Sequence, residues 1–250
     1  MSAWRFKRKL SYFLGLVIFI LVIFLIFFFI YKPQPTCFDG IKNQEEEGVD
    51  CGGSCVRVCS ENAFQFNFLW SRPVEIGENN YSVVSLFENK NADLVAKDLG
   101  YTIKLFNSQN ELVGERAGEI KNVWPREPLI IFESNIQTED RVIRSLIELE
   151  EDIWWEETEV ERPSLSVSFK SFEPEPYPRV TATISNNSAK NLSDIDIYIV
   201  ISDYERNVFA TSATLVDSLL SNTSREVFFT WPKQFSSYPV FFDFYPRFDF

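Results

Sequence analysis

The residues best suited to chemistry are four cysteines clustered near the N-terminal end of the chain. They are Cys37, Cys51, Cys55 and Cys59. In an exported segment, an even and clustered set predicts two disulfides, for which three connectivities exist. Of these we favour Cys37 with Cys55 and Cys51 with Cys59. The gaps of 13, 3 and 3 residues fit neither the usual zinc spacing nor the usual iron-sulfur spacing, so we do not expect a thiolate metal site.

Four oxygen-bearing side chains lie between these cysteines. They are Asp39, Asn43, Glu46 and Asp50. Calcium takes 6 to 8 oxygen ligands, so the four could converge on one ion, although their spacing differs from that of an EF-hand loop. The alternative is purely structural, because a segment this short buries almost no core and depends on crosslinks. If the segment binds a cofactor at all, calcium is the one that these residues suggest; otherwise we expect none.

The chain contains no histidine. This excludes Ser-His and Cys-His nucleophile pairs, histidine metal sites and the commonest general acid-base residue. Gly52 and Gly53 belong to the cysteine segment, so they do not form a phosphate loop between a strand and a helix. Paired carboxylates stay available among 36 acidic residues, but they need a deep cleft. We predict a chain that is not an enzyme and has no small-molecule substrate.

A long apolar segment precedes the cysteines. Leu10 to Ile30 carries no charge, and eighteen of its residues are Leu, Ile, Val or Phe. As a helix it would be roughly 31 Å long, which matches a hydrocarbon core of about 30 Å. It ends in aromatic residues and Ile30, without the small-residue site of a cleaved signal peptide. The sequence therefore predicts a transmembrane helix over 10–31.

Charges around this segment predict its orientation. Four basic residues precede it and only Lys32 follows closely, which places residues 1–9 in the cytoplasm and the ectodomain outside the plasma membrane. The four are Arg5, Lys7, Arg8 and Lys9. Without them, 20 basic and 36 acidic residues remain, a net charge of −16. Such a surface repels nucleic acid, so the expected partners are the membrane and an envelope protein.

After Cys59 the chain consists of short alternating runs rich in Phe and β-branched residues, which predicts an all-β ectodomain. Six strands are predicted in the first half: Phe64 to Trp70, Tyr81 to Phe87, Gly100 to Phe106, Leu112 to Ile120, Leu129 to Phe132 and Val142 to Leu149. Six more are predicted in the second half: Leu165 to Phe172, Val180 to Ser185, Ile195 to Ile201, Val208 to Leu215, Glu226 to Trp231 and Val240 to Tyr245.

The two halves overlie each other at an offset of about 96 residues, with Tyr101 to Leu112 over Ile197 to Val208. We therefore predict two tandem immunoglobulin-like β-sandwiches on a single N-terminal transmembrane helix. The predicted divisions are a cytoplasmic tail at 1–9, the helix at 10–31, a disulfide-rich module at 32–61, the sandwiches at 62–150 and 164–250, and an acidic linker at 151–163. We expect the sandwiches to fold independently of the module.

The predicted linker contains Trp154 and Trp155 among eight acidic residues between Glu148 and Glu161. An exposed, coplanar Trp pair beside carboxylates would suit a carbohydrate-binding or carbohydrate-cleaving lip. Tryptophans buried at a domain junction would instead be structural.

Two stretches carry resemblances. The run from Cys37 to Cys55 resembles a Cys-x-Asp-Gly…Asp-Cys-Gly-Gly-x-Cys module found in exported proteins of many bacteria and some algae. In that module the last cysteine follows after two further residues, whereas here three residues separate Cys55 from Cys59. Ile103 to Asn107, and more weakly Ile199 to Asp203, resemble the core of FxLYD-like immunoglobulin-like domains. The whole chain is similar to uncharacterised membrane-anchored envelope proteins of small-genome uncultured bacteria.

These resemblances imply the same fold and location, and they bring no catalytic residues. The sequence thus predicts a non-enzymatic, single-pass envelope protein whose ectodomain is a spacer or a protein-binding or adhesion module. The alternative function is the carbohydrate-directed one that uses Trp154 and Trp155.

Overall fold

The computed structural model describes residues 2–30, 37–43 and 45–248 of the chain. Helix α1 covers Ser2–Ile30. Within these described residues, no helix combines the length and the apolarity needed to cross a bilayer. The transmembrane assignment of 10–31 therefore stays a prediction from the sequence, and its last residue lies outside the described ranges.

The chain divides into two compact units, Met1–Cys55 and Val56–Phe250. Past α1, the described part of the first unit consists of turns and one isolated bridge between Gly48 and Cys51. The second unit holds every named strand. The boundary between the units lies inside the predicted module at 32–61, of which residues 32–36 and 44 are outside the described ranges.

The first β-sandwich is made of two antiparallel sheets. Its strands are β1 (Arg57–Val58), β2 (Asn67–Gly77), β3 (Asn80–Glu88), β4 (Leu94–Phe106), β5 (Leu112–Val123), β6 (Pro128–Gln137), β7 (Arg144–Leu149) and β8 (Trp154–Glu157). One sheet has the order β2-β3-β6. In the other sheet β4 is central, with β5 on one edge and both β7 and β8 on the other, and β1 pairs with β8.

The second sandwich repeats this plan. Its strands are β9 (Leu165–Glu173), β10 (Arg179–Asn186), β11 (Leu192–Ser202), β12 (Val208–Leu219), β13 (Ser224–Thr230) and β14 (Phe241–Arg247). The sheets have the orders β9-β10-β13 and β12-β11-β14, which correspond strand for strand to β2-β3-β6 and β5-β4-β7. All twelve predicted strands are present, and the shared topology supports the predicted duplication.

A buried asparagine marks the equivalent corner of each sandwich. The Asn89 side-chain amide donates to the carbonyl oxygens of Leu94, Val123 and Trp124. The amide of Asn186 donates to three carbonyls as well, those of Lys190, Leu219 and Leu220. Each asparagine thus links three backbone carbonyls from two chain segments at the corner of its sandwich.

Each sandwich has its own apolar core, formed by the side chains that point inward from its two sheets, about every second residue along a strand. A third apolar cluster, the junction cluster, joins the outer face of the β2-β3-β6 sheet to that of the β12-β11-β14 sheet. It contains Val84, Leu86, Ile130 and Val200, with Trp70, Phe132, Tyr198, Val208 and Tyr245 packed against it. The sandwiches therefore pack face to face.

The predicted acidic linker at 151–163 is wrong for its central part. Residues Trp154–Glu157 form β8, which pairs with Leu94 to Lys97 of β4. The acidic composition suggested a solvated connection. However, side chains alternate across a strand, so β8 buries Trp155 on one face and carries Trp154 and Glu156 on the other, while Glu157 is exposed at the end of the strand.

Candidate functional site

The predicted disulfides are present. Cys37 and Cys55 are bonded, with Cα atoms 5.6 Å apart, and Cys51 and Cys59 are disulfide-bonded as well. No cysteine of the chain is free. The favoured partner for Cys37 is thus confirmed. In a segment whose Phe38, Ile41 and Val49 are exposed, these bonds take the place of a core.

The four predicted calcium ligands come together, mainly as hydrogen-bond acceptors for the loop. Asp50 accepts from the backbone N–H groups of Asp39 and Gly40, at 3.0 and 2.9 Å. Asp39 Oδ2 accepts from Asn43 Nδ2 at 2.8 Å, and Glu46 Oε2 accepts from the Asn43 backbone N–H at 3.0 Å. These bonds close the loop without an ion.

Most oxygens of the four predicted calcium ligands are already used in these hydrogen bonds. Asn43 Oδ1 is buried and has no hydrogen-bond partner, and Glu46 is 7% exposed. Cys37, Glu46 and Cys55 also bring their ligand-type atoms within 4.8 Å of one another. Both sulfurs are in a disulfide, however, and metal ligation needs thiolates. Calcium at Asp39, Asn43, Glu46 and Asp50 stays a prediction.

The two tryptophans do not share a surface. Trp155 is 0% exposed and stacks on Phe66 at 5.2 Å between ring centroids, inside the core of the first sandwich. Trp154 lies on the outer face, where its indole N–H donates to Glu156 at 2.8 Å and Arg57 covers its ring at 5.0 Å. The chain therefore presents no paired aromatic platform there, and Trp155 belongs to a domain core and not to the domain junction.

The junction between the sandwiches contains a charged contact that the sequence did not indicate. The Arg162 guanidinium forms an ion pair with Glu127 at 2.6 Å, donates to the Pro246 carbonyl at 3.1 Å and lies 4.9 Å from the Phe248 ring centroid. Glu127 is 8% exposed, so the pair is shielded from water. This contact, the Arg162 clasp, ties both sandwiches to the segment between them.

Burial and a neighbouring charge affect the Arg162 guanidinium. Desolvation lowers its pKa, Glu127 opposes this shift, and Arg247 lowers the pKa further by like-charge repulsion. Because the shift is downward, the protonated form is less favourable in the fold than in water. The clasp thus holds a cation in an environment that favours additional negative charge.

Two tyrosines with shifted pKa values lie in the core of the first sandwich (Tyr101) and at the junction cluster (Tyr198). Tyr101 donates its hydroxyl to Glu133 at 2.7 Å, and burial, followed by that bond, raises the pKa of Tyr101 above its usual range. Burial raises the pKa of Tyr198 from 10.0 to about 12, with Asp196 adding to the effect. The folded state therefore requires both phenols in their neutral form.

Alkaline pH should destabilise the fold through these phenols. The Tyr198 contribution is fully present below pH 10, where the unfolded phenol is also neutral, and it is lost as pH rises towards 12. A shift of this size corresponds to on the order of 2 kcal/mol. We expect Tyr198→Phe to flatten the fall in unfolding free energy between these pH values, measured by urea titration. Tyr204→Phe, at a side chain 84% exposed, is the matched control and should leave the fall unchanged.

Comparison with known proteins adds little. No family model matches the chain, and no curated protein matches it. Among solved structures, one that is similar is the crystal structure of red sea bream transglutaminase, at 12% identity and a TM-score of 0.22. The match covers 67% of this chain and 26% of that one, so this chain spans about a quarter of the transglutaminase. At that TM-score the likeness carries no information on activity.

Sequence reasoning missed the contact between Arg162 and Glu127 and the position of Arg247 beside it. The three belong to different parts of the chain and form no motif. One signal was available, since Arg162 is the only basic residue between Glu148 and Leu165. A single cation in an acidic segment is a candidate for a buried ion pair.

Proposed function

We propose that the chain is a non-enzymatic, single-pass envelope protein whose two immunoglobulin-like sandwiches form a rigid spacer or protein-binding module. The observation that carries the proposal is the face-to-face packing through the junction cluster and the Arg162 clasp. Two sandwiches connected only by a flexible linker would move independently. An apolar interface with a buried ion pair favours one orientation.

The immunoglobulin-like assignment is supported by the order of the strands. In each sandwich the first, second and fifth of the six repeated strands form one sheet, and the third, fourth and sixth belong to the other. The chain therefore crosses between sheets three times, after the second, fourth and fifth strands, and such crossings are typical of sandwiches of this class. The carbohydrate-directed alternative has less support, because Trp154 and Trp155 lie on opposite faces of β8.

Photocrosslinking in the native envelope tests the binding role. A photoreactive phenylalanine at Tyr177 or Tyr238, which are 62% and 82% exposed, would report what touches the second sandwich. We expect a discrete protein adduct at one of these positions and none at Tyr198, which is in the junction cluster. Adducts that contain saccharide and no protein would overturn the proposal in favour of the carbohydrate function.

The membrane anchor rests on the sequence, and a charge-insertion experiment tests it. The eighteen strongly apolar residues favour insertion by on the order of 5 to 11 kcal/mol, and each central Arg costs about 2.5 to 3.5 kcal/mol. We expect the wild-type chain to stay in the membrane fraction after alkaline wash. The double change Ile18→Arg with Val22→Arg should release most of it.

The matched control is Ile18→Leu with Val22→Leu, which keeps the apolar character and should be retained like the wild type. Externally added protease should digest the second sandwich in intact cells, because the basic flank keeps the N-terminus inside. A mature N-terminus beyond Ile30 would mean a cleaved signal and would refute the anchor.

A further inference from the structure

A cleft of about 210 Å³ opens where the two sandwiches meet. Its walls come from the end of β5, the start of β6, the segment around Arg162 and the end of β14. The volume lies below the range of about 300 to 1,000 Å³ that is typical for drug-sized ligands. A ligand of this cleft would therefore be small, or the end of a larger molecule.

The polar wall of the cleft has more positive than negative charge. Arg162 and Arg247 both line it, and the only acidic side chain in the lining is Glu127, which is paired with Arg162. Arg247 is half-buried and makes no ion pair with any of the described residues 37–43 and 45–248. Asp196 is the residue opposite Arg247 across the β11–β14 pair, yet these two described residues form no direct ion pair, so the guanidinium keeps donors for an added anion.

A second polar group in the cleft also lacks a partner. The Nε–H of Arg162 is buried and has no hydrogen-bond acceptor among the described residues. The two guanidiniums also repel each other, and this repulsion adds to burial, the main cause, in lowering the pKa of Arg162. An anion between them would accept hydrogen bonds and relieve that repulsion.

The rest of the lining is apolar. Leu165 and Phe244 are partly buried and provide the accessible apolar surface, whereas Leu129 and Ile130 are packed away in the first core and the junction cluster. An inorganic anion would leave this surface without a partner. A doubly charged phosphate would also meet the carboxylate of Glu127, whereas a carboxylate carries one charge and matches the planar guanidinium fork.

We propose that this cleft binds a carboxylate attached to a short aliphatic chain, with Arg247 as the principal anion ligand and the partly exposed Leu165 and Phe244 against the chain. A free carboxylic acid and the C-terminal residue of a peptide share this chemistry. The proposal goes beyond the proposed function, because the site would exist whether or not the ectodomain binds a protein.

Isothermal titration of the full chain in detergent tests the proposal, with N-acetyl-leucine as the probe and N-acetyl-leucinamide as its uncharged match. We expect binding of the acid in the millimolar range, and binding of the amide at least tenfold weaker, because a charge-assisted pair with Arg247 is lost. A tripeptide that ends in leucine, compared with its amide, shows whether peptide C-termini enter as well as free acids.

Two variants and one control test whether Arg247 is the side chain that binds the carboxylate. Arg247→Gln should weaken binding of N-acetyl-leucine about tenfold or more, and Arg247→Lys should weaken it less because the charge is kept. Arg225→Gln on β13, an exposed arginine outside the cleft, should bind like the wild type. Equal binding of acid and amide, equal binding of all variants, phosphate competing as well as the acid, or no measurable binding would overturn the proposal.

Discussion

Replacing Trp155 by alanine is expected to remove most of the stability of the first sandwich. The side chain is 0% exposed and stacks on Phe66, so the substitution leaves a large cavity in the core. Such changes cost about 3 to 5 kcal/mol. That is a large fraction of a total stability of about 5 to 15 kcal/mol. Urea unfolding followed by circular dichroism would measure the loss.

Trp154→Ala is the matched control, since it removes the same side chain from the neighbouring position on the outer face of β8. We expect a cost of at most about 1 kcal/mol, because Trp154 lies on the outer face, where its contacts include Arg57 and Glu156 and no core is lost. If the two variants were equally stable, Trp155 would not be a core residue. The carbohydrate-directed alternative, which uses Trp154 and Trp155, would then regain support.

The second large effect is expected at the two buried asparagines. Asn89 is 0% exposed and Asn186 is 1% exposed, and alanine at either position removes three hydrogen bonds from the side-chain amide to backbone carbonyls. The carbonyls of Trp124 and Leu220 each keep a second donor, from Glu127 and Thr223. Unsatisfied buried groups cost about 1 to 3 kcal/mol each, and water entering the space recovers part of this. We expect Asn89→Ala and Asn186→Ala each to lower the unfolding free energy by roughly 3 kcal/mol in urea titrations.

The controls are Lys90→Ala and Asn187→Ala, exposed positions directly after each asparagine, where we expect changes within about 0.5 kcal/mol. Similar losses at Asn89 and Asn186 would show that the two equivalent asparagines contribute equally to the stability of their sandwiches. A loss below about 1 kcal/mol at either site would mean that the carbonyls find other partners. The corner would then not depend on the amide.

Most of the secondary structure was predictable because it depends on local patterns. Alternating apolar residues located β3, β4 and their counterparts β10 and β11, since a strand with one buried face needs a period of two. The offset of about 96 residues also predicted that the second half repeats the first. Clustering of the cysteines predicted two disulfides, because so short a segment has no other source of stability.

The segment 151–163 shows where composition misled. Eight acidic residues between Glu148 and Glu161 indicated a solvated linker, yet an edge strand needs only one buried side chain in two. Trp155 provides that side chain, and the free edge of β4 at Leu94 to Lys97 provides the hydrogen bonds. Which edge is free depends on the whole sheet and is not encoded near Trp155.

By itself, the sequence determined the β class of the ectodomain, its duplication and the two disulfides, since each follows from periodicity, repetition or clustering along the chain. Only the tertiary structure decided that the sandwiches pack face to face, that Arg162 pairs with Glu127 and that Arg247 lines a cleft between them. These contacts join residues far apart in the chain through the outer faces of two sheets. Apolar outer-face residues such as Val84 and Val200 indicate that a face is covered, but they do not identify what covers it.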